Sequence, residues 1–509
     1  MFNSQKHSRV IVLACSAAFG VAASLCAPQA SAQTSTGPSS SQSPYVVPIA
    51  AGVKTRSILT VGDSVNNKPD GTPYRMVGIP DGMGAIDGRN GTFTVLMNHE
   101  LRGDAGVKRA HGATGSFVSK WTIRKNDLQV LKGEDLIQNV ARWNTTISSY
   151  EAPNKGVVIG RLCSADLPAE YAFYNPFTRL GTFERLFMNG EEVGPEGRAF
   201  AHTMNGTSYE LPRLGKFSWE NALAHPFTAD RTVVVGTDDA TPGQVYVYVG
   251  TKTNSGSVVD RAGLTNGVLY GIKVDGFPAE ISASGIGGGT RRFSMEPLGN
   301  VENKTGAQLE TDSRAKGVTQ WLRPEDGHWD RGNFNDFYFV TTNNFNVPSR
   351  LWRLRFDNFL RPELGGNVEA VINTNSAGQQ MMDNMTIDTA SRAIIQEDPG
   401  AQDYLARLWQ FRTDTRAFTP VAQHDPARFA PGAPGFLTRD EESSGVIDMK
   451  EFLGEGWFLI NVQAHYSIPG ELVEGGQLLA MHVPVPRDAP LLPFPGFRTP
   501  SPFPGFNLR

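Results

Sequence analysis

The chain has 509 residues, too many for one small core. Its 54 glycines and 33 prolines exceed the usual combined share of about 12%, which indicates many turns and few long helices. A hydrophobic fraction of 39%, with 29 Phe and 8 Trp, excludes collagen-like and disordered chains. Lys plus Arg number 47 against 51 Asp plus Glu, so the net charge of −4 provides no basic excess to neutralise a phosphate backbone, and a nucleic-acid partner is not expected.

The first 32 residues have the pattern of an export signal. Lys6, His7 and Arg9 precede an apolar stretch over residues 10–25, and the small residues 30–32 fit a cleavage site. This stretch is shorter than the roughly 20 residues that cross a bilayer, and no later segment reaches that length. We therefore predict a signal peptide over 1–32, a periplasmic or extracellular location, no membrane span and a monomer. A lipoprotein anchored through Cys26 is the alternative, although Leu25 stands where a small residue is expected.

The segments on either side of the central region differ from it in composition. Residues 33–50 begin with Ser, Thr, Gln and Pro, which predicts a flexible linker. Residues 486–509 carry repeated prolines, so this C-terminal tail cannot donate regularly to a sheet. Residues 51–485 are left as a single folded domain, which we expect to be the catalytic one.

That domain repeats a pattern in which a short apolar strand runs into polar residues, usually followed by a turn and a second strand. The apolar strands are predicted at residues 94–97, 185–188, 233–235, 337–340, 394–395 and 458–460. Second strands are predicted at 117–123, 245–249, 351–356, 405–411 and 478–483. Continuous apolar runs are typical of strands that are buried on both faces. Runs in which apolar and polar residues alternate are typical of strands with one solvent-exposed face. Six units predict an all-β fold, a six-bladed β-propeller with decorating insertions.

The polar residues after the apolar strands suggest a metal site at the central channel. The innermost strands of a propeller line this channel, so polar residues at equivalent strand ends would converge on one mouth. The residues are the acids Glu100, Glu191, Glu192, Asp238, Asp239, Glu397 and Asp398, with the amides Asn343, Asn344 and Asn384. Crowded carboxylates raise one another's pKa, and a cation such as Ca²⁺ or Mg²⁺, or Mn²⁺ or Fe³⁺, would remove that cost. Alternatively, each acid only begins a turn.

Cys163 is the one cysteine that would remain after loss of the leader, because Cys15 and Cys26 lie within it. It could then form no intramolecular disulfide in an oxidising compartment. Two interpretations stay open. Cys163 is either a buried, inert side chain or a metal ligand whose thiolate favours a transition metal.

Other catalytic signatures are weak. No His-x-x-x-His pair occurs among the nine histidines, which disfavours a zinc hydrolase. The glycine-rich residues 285–289 lack the Gly-Lys-Ser/Thr ending of a nucleotide loop. Residues 442–445 do not form the Gly-x-Ser-x-Gly nucleophile elbow of a serine hydrolase.

Several short motifs follow one another along the mature chain: residues 74–82 with 96–100, 160–164 with 190–192, 323–325 before Asn343-Asn344, 383–388 before 394–396, 442–445, and 461–465. Their order resembles that of the secreted PhoX-type alkaline phosphatases over most of the mature chain. A second Arg-Pro-Glu at residues 361–363 falls outside this order and is interpreted as a coincidence. No single motif is specific, and the resemblance depends on their order.

The resemblance implies a propeller enzyme that hydrolyses phosphate monoesters with calcium ions and an iron pair. Carried over by position, Arg323 would hold the substrate phosphate. The metal ligands would be Cys163, Glu325, Glu100, Glu191, Glu192 and Glu442, together with Asp238 and Asp239. Several cations would clamp the phosphoryl oxygens and lower the pKa of a bound water or oxide.

Two features depart from the family. Ala240 stands where the family carries a glutamate after two aspartates, which would remove one iron ligand. The leader has Arg9 with Lys6 rather than a twin arginine. Two alternatives to a secreted phosphatase therefore remain: a calcium-stabilised propeller that binds a ligand without catalysis, and a calcium-dependent esterase or lactonase that polarises a carbonyl.

Overall fold

The computed structural model describes Met1 and residues 33–486. The predicted signal peptide and all but the first residue of the predicted C-terminal tail lie outside the described range 33–486. Strands dominate this range, and none of its helices is long and apolar enough to cross a membrane. The helices are α1 (Val258–Arg261), α2 (Gly306–Ala315), α3 (Pro426–Phe429) and α4 (Lys450–Leu453), with 3₁₀ turns at Pro212–Leu214, Pro362–Leu364 and Gly470–Leu472.

The strands of the first half form an N-terminal segment and two blades of four antiparallel strands each, which we name blades 1 and 2. The N-terminal strands are β1 (Gln33–Thr36), β2 (Val46–Pro48), β3 (Lys54–Thr60), β4 (Ser64–Asn67) and β5 (Pro73–Arg75). Blade 1 consists of β6 (Pro80–Arg89), β7 (Thr92–His99), β8 (Phe117–Arg124) and β9 (Val130–Asp135). The short strands β10 (Asn139–Ala141), β11 (Trp143–Asn144) and β12 (Ser149–Tyr150) follow. Blade 2 consists of β13 (Leu162–Asp166), β14 (Leu186–Glu191), β15 (Ala199–Thr203) and β16 (Thr207–Glu210). The short strand β10 adds to the outer strand of blade 2, β16, in parallel.

Four further units complete the described part of the chain. Blade 3 consists of β17 (Trp219–Ala224), β18 (Arg231–Asp238), β19 (Val245–Thr251) and β20 (Val268–Val274), followed by β21 (Arg291–Gly299). Blade 4 consists of β22 (Pro324–Trp329), β23 (Asp336–Thr341), β24 (Arg350–Phe356) and β25 (Gly366–Ile372). Blade 5 consists of β26 (Met382–Ile387), β27 (Arg392–Glu397), β28 (Arg407–Arg412) and β29 (Phe418–His424). Blade 6 contains β30 (Glu441–Asp448), β31 (Trp457–Ile468) and β32 (Val473–His482).

The first strands of the blades form a closed ring. β6 contacts β13, β13 contacts β17, and the series continues through β22, β26 and β30 back to β6. Each blade therefore presents its first strand to a central channel, which confirms the predicted all-β propeller. β21 pairs with both β20 and β25, so blades 3 and 4 share one nine-stranded sheet.

Blade 6 takes its outer strand from the N-terminal segment. β3 pairs antiparallel with β32, from Lys54 opposite His482 to Thr60 opposite Gln477. The structure differs here from the linker predicted over residues 33–50, because β1 pairs in parallel with β3 and β2 pairs antiparallel with β29. The polar composition suggested a flexible segment, but backbone hydrogen bonding to existing sheet edges does not require apolar side chains.

The predicted apolar strands are the second strands of the blades, and their two faces pack into different cores. In β18, Val234 joins the cluster of Trp219 and Met188, whereas Val233 and Val235 join the cluster of the next blade. Burying each such side chain contributes about 1.5–3 kcal/mol. Because both faces are covered by neighbouring blades, these strands need continuous apolar runs.

Candidate functional site

The second residue of each inner strand is a metal-ligand type. The six residues are Asp81 in β6, Cys163 in β13, Glu220 in β17, Glu325 in β22, Asp383 in β26 and Glu442 in β30. All six inner strands begin at the same mouth of the channel, so equivalent positions come together. We call this set the inner ring.

A second set of polar side chains comes from the ends of the second strands. Glu100 follows β7, Glu192 follows β14, Asp239 follows β18 and Asp398 follows β27, while β31 contributes Gln463 from within the strand. Blade 4 differs, because the Asn343 side chain after β23 donates to Ser282 Oγ and to the Pro348 carbonyl, both at 2.9 Å. We call these five residues the outer ring.

Both rings meet in a cavity of about 240 Å³ at the channel mouth. It is lined by Ile79, Glu100, Arg102, Arg161, Cys163, Glu192, Glu220, Asp239, Arg323, Glu325, Asp383, Asp398, Glu442, Gln463, His465 and Glu474. Asp81 is buried next to this lining, with its Oδ2 3.6 Å from Cys163 Sγ and 2.9 Å from Gln463 Nε2. Together with Asp81, the lining brings ten carboxylates and one thiol close to four basic side chains, which are Arg102, Arg161, Arg323 and His465.

The cavity contains seven of the nine site residues predicted from the sequence. They are Glu100, Cys163, Glu192, Asp239, Arg323, Glu325 and Glu442. Glu191 and Asp238 lie elsewhere. Glu191 accepts hydrogen bonds from Arg198 Nε at 2.6 Å and from the Gly160 amide at 2.8 Å, whereas Asp238 accepts the Ser218 amide at 3.1 Å and lines a neighbouring pocket.

Strand alternation explains which member of each acidic pair enters the cavity. Successive residues of an extended chain point to opposite sides. Glu192, Asp239 and Asp398 face the channel, whereas their predecessors Glu191, Asp238 and Glu397 face into the protein. Glu397, for example, accepts hydrogen bonds from the Trp409 indole at 2.8 Å and the Gln380 amide at 2.7 Å. The sequence pattern identified the pairs but could not determine the facing member.

Sequence reasoning missed three carboxylates of the inner ring, Asp81, Glu220 and Asp383. The inner strands are not continuous apolar runs; β6, for example, begins with Pro, Asp and Gly. A pattern based on apolar runs therefore did not identify them. The signal that could have found them is an acid or cysteine at the second position of the strand preceding each apolar strand.

Three groups of ligand atoms lie close enough to bind metal ions. The groups are Asp81 with Glu100 and Cys163, Cys163 with Glu192 and Glu220, and Glu220 with Glu325 and Asp383, and within each group the ligand atoms lie within 4.8 Å of one another. Cys163 and Glu220 each belong to two groups. The groups therefore form one continuous row around the mouth, in which neighbouring ions could share a ligand.

Burial and mutual repulsion make these carboxylates costly to ionise. Burial, followed by repulsion from Glu100, raises the pKa of Asp81 well above its usual range. Burial raises the pKa of Glu220 from 4.5 to about 8 and that of the Cys163 thiol well above its ordinary value. Burial likewise raises the pKa of Glu325 and Asp383. A cation would offset this cost by attracting every ionised group at once.

The unpaired oxygens of the row fit a cation. Asp81 Oδ1 and Glu220 Oε1 are buried and have no hydrogen-bond partner among the described residues. A buried acceptor without a hydrogen-bond partner lowers the stability of the folded protein by about 1–3 kcal/mol. A bound cation would provide such atoms with a partner. Carboxylate oxygens are the donors that Ca²⁺ prefers, and the single thiolate suits a transition metal. The residues present therefore fit the predicted metal site.

Two arginines partly neutralise the acids at the rim. Arg161 forms an ion pair with Glu100 and lies 2.9 Å from Glu192, while Arg323 lies 2.9 Å from both Asp239 and Glu325. Although burial works in the opposite direction, Arg161 keeps the pKa of Glu100 below its usual value. Arg323 has the same effect on the pKa of Asp239.

His465 adds a third positive group. Its Nδ1 lies 2.6 Å from Glu474, and its Nε2 lies 3.7 Å from Glu442. Burial lowers the pKa of His465, but these two carboxylates outweigh it and raise that pKa to about 11. His465 is therefore an imidazolium at neutral pH.

Substituting each member of the Glu191–Glu192 pair tests whether the row of ligand groups binds metal through the residue that faces the cavity. We expect Glu192→Gln to weaken Ca²⁺ binding by about tenfold or more, because it removes a charged ligand from the row. Glu191→Gln should leave Ca²⁺ affinity unchanged but lower the free energy of unfolding by about 1–3 kcal/mol, because Arg198 loses its carboxylate partner. Isothermal titration calorimetry and denaturant unfolding measure the two effects. Equal Ca²⁺ affinities in the two variants would contradict this placement.

Comparisons with known proteins support the fold. The chain matches no protein-family model and no curated protein sequence. Among solved structures it is similar to Pseudomonas fluorescens PhoX in complex with vanadate, a transition state analogue, with a TM-score of 0.63 and 12% identity over 89% of this chain and 98% of that chain. A putative TolB from Agrobacterium tumefaciens gives a TM-score of 0.30, with 9% identity over 69% of this chain and 84% of that one. The likeness to PhoX shows that the two proteins share a fold.

Proposed function

We propose that this protein is a metal-dependent phosphatase that hydrolyses phosphate monoesters at the mouth of its channel. The observation that carries the proposal is that one cavity combines a row of buried carboxylates and a thiol with the guanidinium groups of Arg161 and Arg323. Cations and guanidinium groups together match the charge of a phosphoryl group during its transfer. The solved PhoX structure holds vanadate, which supports this choice among possible activities.

The row would hold the metal ions through specific groups. We propose iron at one of the two groups that include Cys163, because thiolates favour transition metals, and calcium at the remaining groups of the row, which would bind it mainly through carboxylates. When bound, such ions supply positive charge for the phosphoryl oxygens and a lowered pKa for a bound water. Cys163 is 8% exposed, so this chemistry would take place largely out of bulk solvent.

Arg323 would position the substrate. Its Nε and Nη2 donate to the two oxygens of Asp239 at 2.9 and 3.1 Å, which orients the guanidinium plane. Its side chain is 25% exposed, so part of the group remains accessible from the cavity. The N–H groups of Arg323 that are not directed at Asp239 or Glu325 can donate charge-assisted hydrogen bonds to a phosphate oxygen.

Although position 240 is an alanine, blade 3 still places two carboxylates at the cavity that could bind a metal ion. Ala240 lines the neighbouring pocket, outside the cavity lining, whereas the same blade contributes Asp239 and the inner-ring residue Glu220. We therefore propose that Glu220 supplies the carboxylate that blade 3 would otherwise lack.

The proposal is tested by phosphate release from a chromogenic phosphate monoester at alkaline pH. We expect turnover by the purified, metal-loaded protein, loss of turnover with a chelator, and recovery when calcium and iron are returned. Elemental analysis of the same sample identifies the metals. A metal-loaded protein without turnover would contradict the proposal. A large Ca²⁺-dependent rise in Tm without turnover would then favour the binding propeller, and hydrolysis of a carboxylic ester or a lactone would favour the third hypothesis.

A further inference from the structure

Arg161 and Arg323 occupy equivalent positions in two blades. Arg161 lies two residues before the inner-ring Cys163, and Arg323 lies two residues before the inner-ring Glu325. Each arginine directly precedes an inner strand, β13 or β22. The corresponding residues of the other blades are Ile79, Ser218, Met381 and Asp440, none of which carries a positive charge. The fold therefore places two guanidinium groups at the same level of the mouth, on the blades that flank blade 3.

The two arginines also make the same kind of contact. Each guanidinium forms ion pairs with two carboxylates from different blades. Arg161 pairs with Glu100 and Glu192, and Arg323 pairs with Asp239 and Glu325. The Arg161 side chain is 43% exposed, compared with 25% for Arg323. Arg161 thus has more freedom to change partners at the mouth.

The partners of Arg161 are also candidate metal ligands. Glu100 groups with Asp81 and Cys163, and Glu192 groups with Cys163 and Glu220. A cation bound to these groups would compete with the guanidinium for the same oxygens. Cation binding would therefore free the donors of Arg161, and an anion in the cavity is the partner that could use them.

We propose that Arg161 is a second phosphate-binding residue that acts as an internal counter-ion until a cation replaces it. In the cation-free protein it neutralises Glu100 and Glu192. In the loaded protein it turns to the phosphate group, which Arg161 and Arg323 then hold from the two sides of blade 3. This inference rests on the proposed phosphatase function, and it makes the doubly charged phosphate of a monoester the preferred ligand, because two guanidinium groups and the cations complement two negative charges.

The test uses four variants of the full chain and two titrations. Arg161→Gln removes the charge, Arg161→Lys keeps the charge without the fork, and Arg323→Gln removes the other arginine. Arg292→Gln is the matched control, because Arg292 is 42% exposed and pairs with Asp357, and neither residue lines the cavity. Thermal unfolding first establishes that each variant is folded. Calorimetry then measures Ca²⁺ binding to the metal-free protein and inorganic phosphate binding to the Ca²⁺-loaded protein.

We expect Arg161→Gln to bind Ca²⁺ about tenfold more tightly, since no guanidinium competes, and phosphate about 10- to 100-fold more weakly, since a charged hydrogen-bond donor is lost. Arg161→Lys should bind Ca²⁺ like the wild type and phosphate with intermediate affinity. Arg292→Gln should change neither affinity.

Unchanged Ca²⁺ and phosphate affinities in Arg161→Gln would overturn the inference and make Arg161 a fixed ion-pair residue. Unchanged phosphate affinity with tighter Ca²⁺ binding would overturn the phosphate-binding role. If Arg323→Gln alone weakens phosphate binding, the proposed function stands and this inference fails. If the loaded wild type binds no phosphate, both fail.

Discussion

Replacing Arg323 by glutamine is expected to lower kcat/KM for a phosphate monoester by about 100- to 1000-fold, because a preorganised donor to the transferring phosphoryl group is lost. Arg361→Gln is the matched control. Arg361 begins the second Arg-Pro-Glu sequence, but its side chain is 60% exposed, it precedes a 3₁₀ turn, and it lies outside the cavity lining. We expect the control to retain wild-type kcat/KM.

Metal content must be measured alongside the rates, because Arg323 also neutralises Asp239 and Glu325. Arg323→Lys keeps this charge and should retain part of the activity while losing the bidentate geometry. Full activity in Arg323→Gln with wild-type metal content would show that this arginine does not hold the substrate. Equal losses in Arg323→Gln and Arg361→Gln would point to a general effect on stability instead.

Replacing Glu220 by glutamine should change the stability of the protein in opposite directions with and without metal. Glu220 joins two of the three ligand groups, so its loss is expected to weaken Ca²⁺ binding by about 100-fold. The same change should stabilise the metal-free protein, because it removes a buried carboxyl group that must either be protonated on folding or remain charged, and whose Oε1 has no hydrogen-bond partner among the described residues. Calorimetry and thermal unfolding with and without Ca²⁺ measure both effects.

The stabilising effect of Glu220→Gln should depend on pH. Because the pKa of Glu220 rises from 4.5 to about 8 on folding, the folded protein holds this proton more tightly than the unfolded chain. The metal-free wild type should therefore lose stability as pH rises through this interval, and the advantage of Glu220→Gln should be greatest above pH 8.

Glu302→Gln serves as the control, because Glu302 is buried but pairs with Arg213 at 2.5 Å. This variant should bind Ca²⁺ normally and should be less stable than the wild type at neutral pH, because Arg213 loses its carboxylate partner. A Glu220→Gln protein that is destabilised without metal would contradict the view of Glu220 as an uncompensated acid.

Most strands of the blades could be predicted from the sequence. The six predicted apolar strands correspond to β7, β14, β18, β23, β27 and β31, and the second strands at 117–123, 245–249, 351–356, 405–411 and 478–483 correspond to β8, β19, β24, β28 and β32. Strands covered on both faces must be apolar at nearly every position, and this signal is local. The inner strands were missed, because lining a polar channel removes the apolar run by which strands are recognised.

From the residues alone, the sequence predicted that acids at the ends of apolar strands would gather at one mouth, and it singled out Cys163; the resemblance of its motifs to a known family added Arg323 and Glu325. The tertiary structure decided which acid of each pair faces the channel: it turned Glu192 and Asp239 inward and placed Glu191 and Asp238 against backbone amides. It also brought Asp81, Glu220 and Asp383 into the row and Arg161 to the rim. The physical reason is that side-chain direction in a strand depends on register, which hydrogen bonding to the neighbouring strands sets and which local composition does not encode.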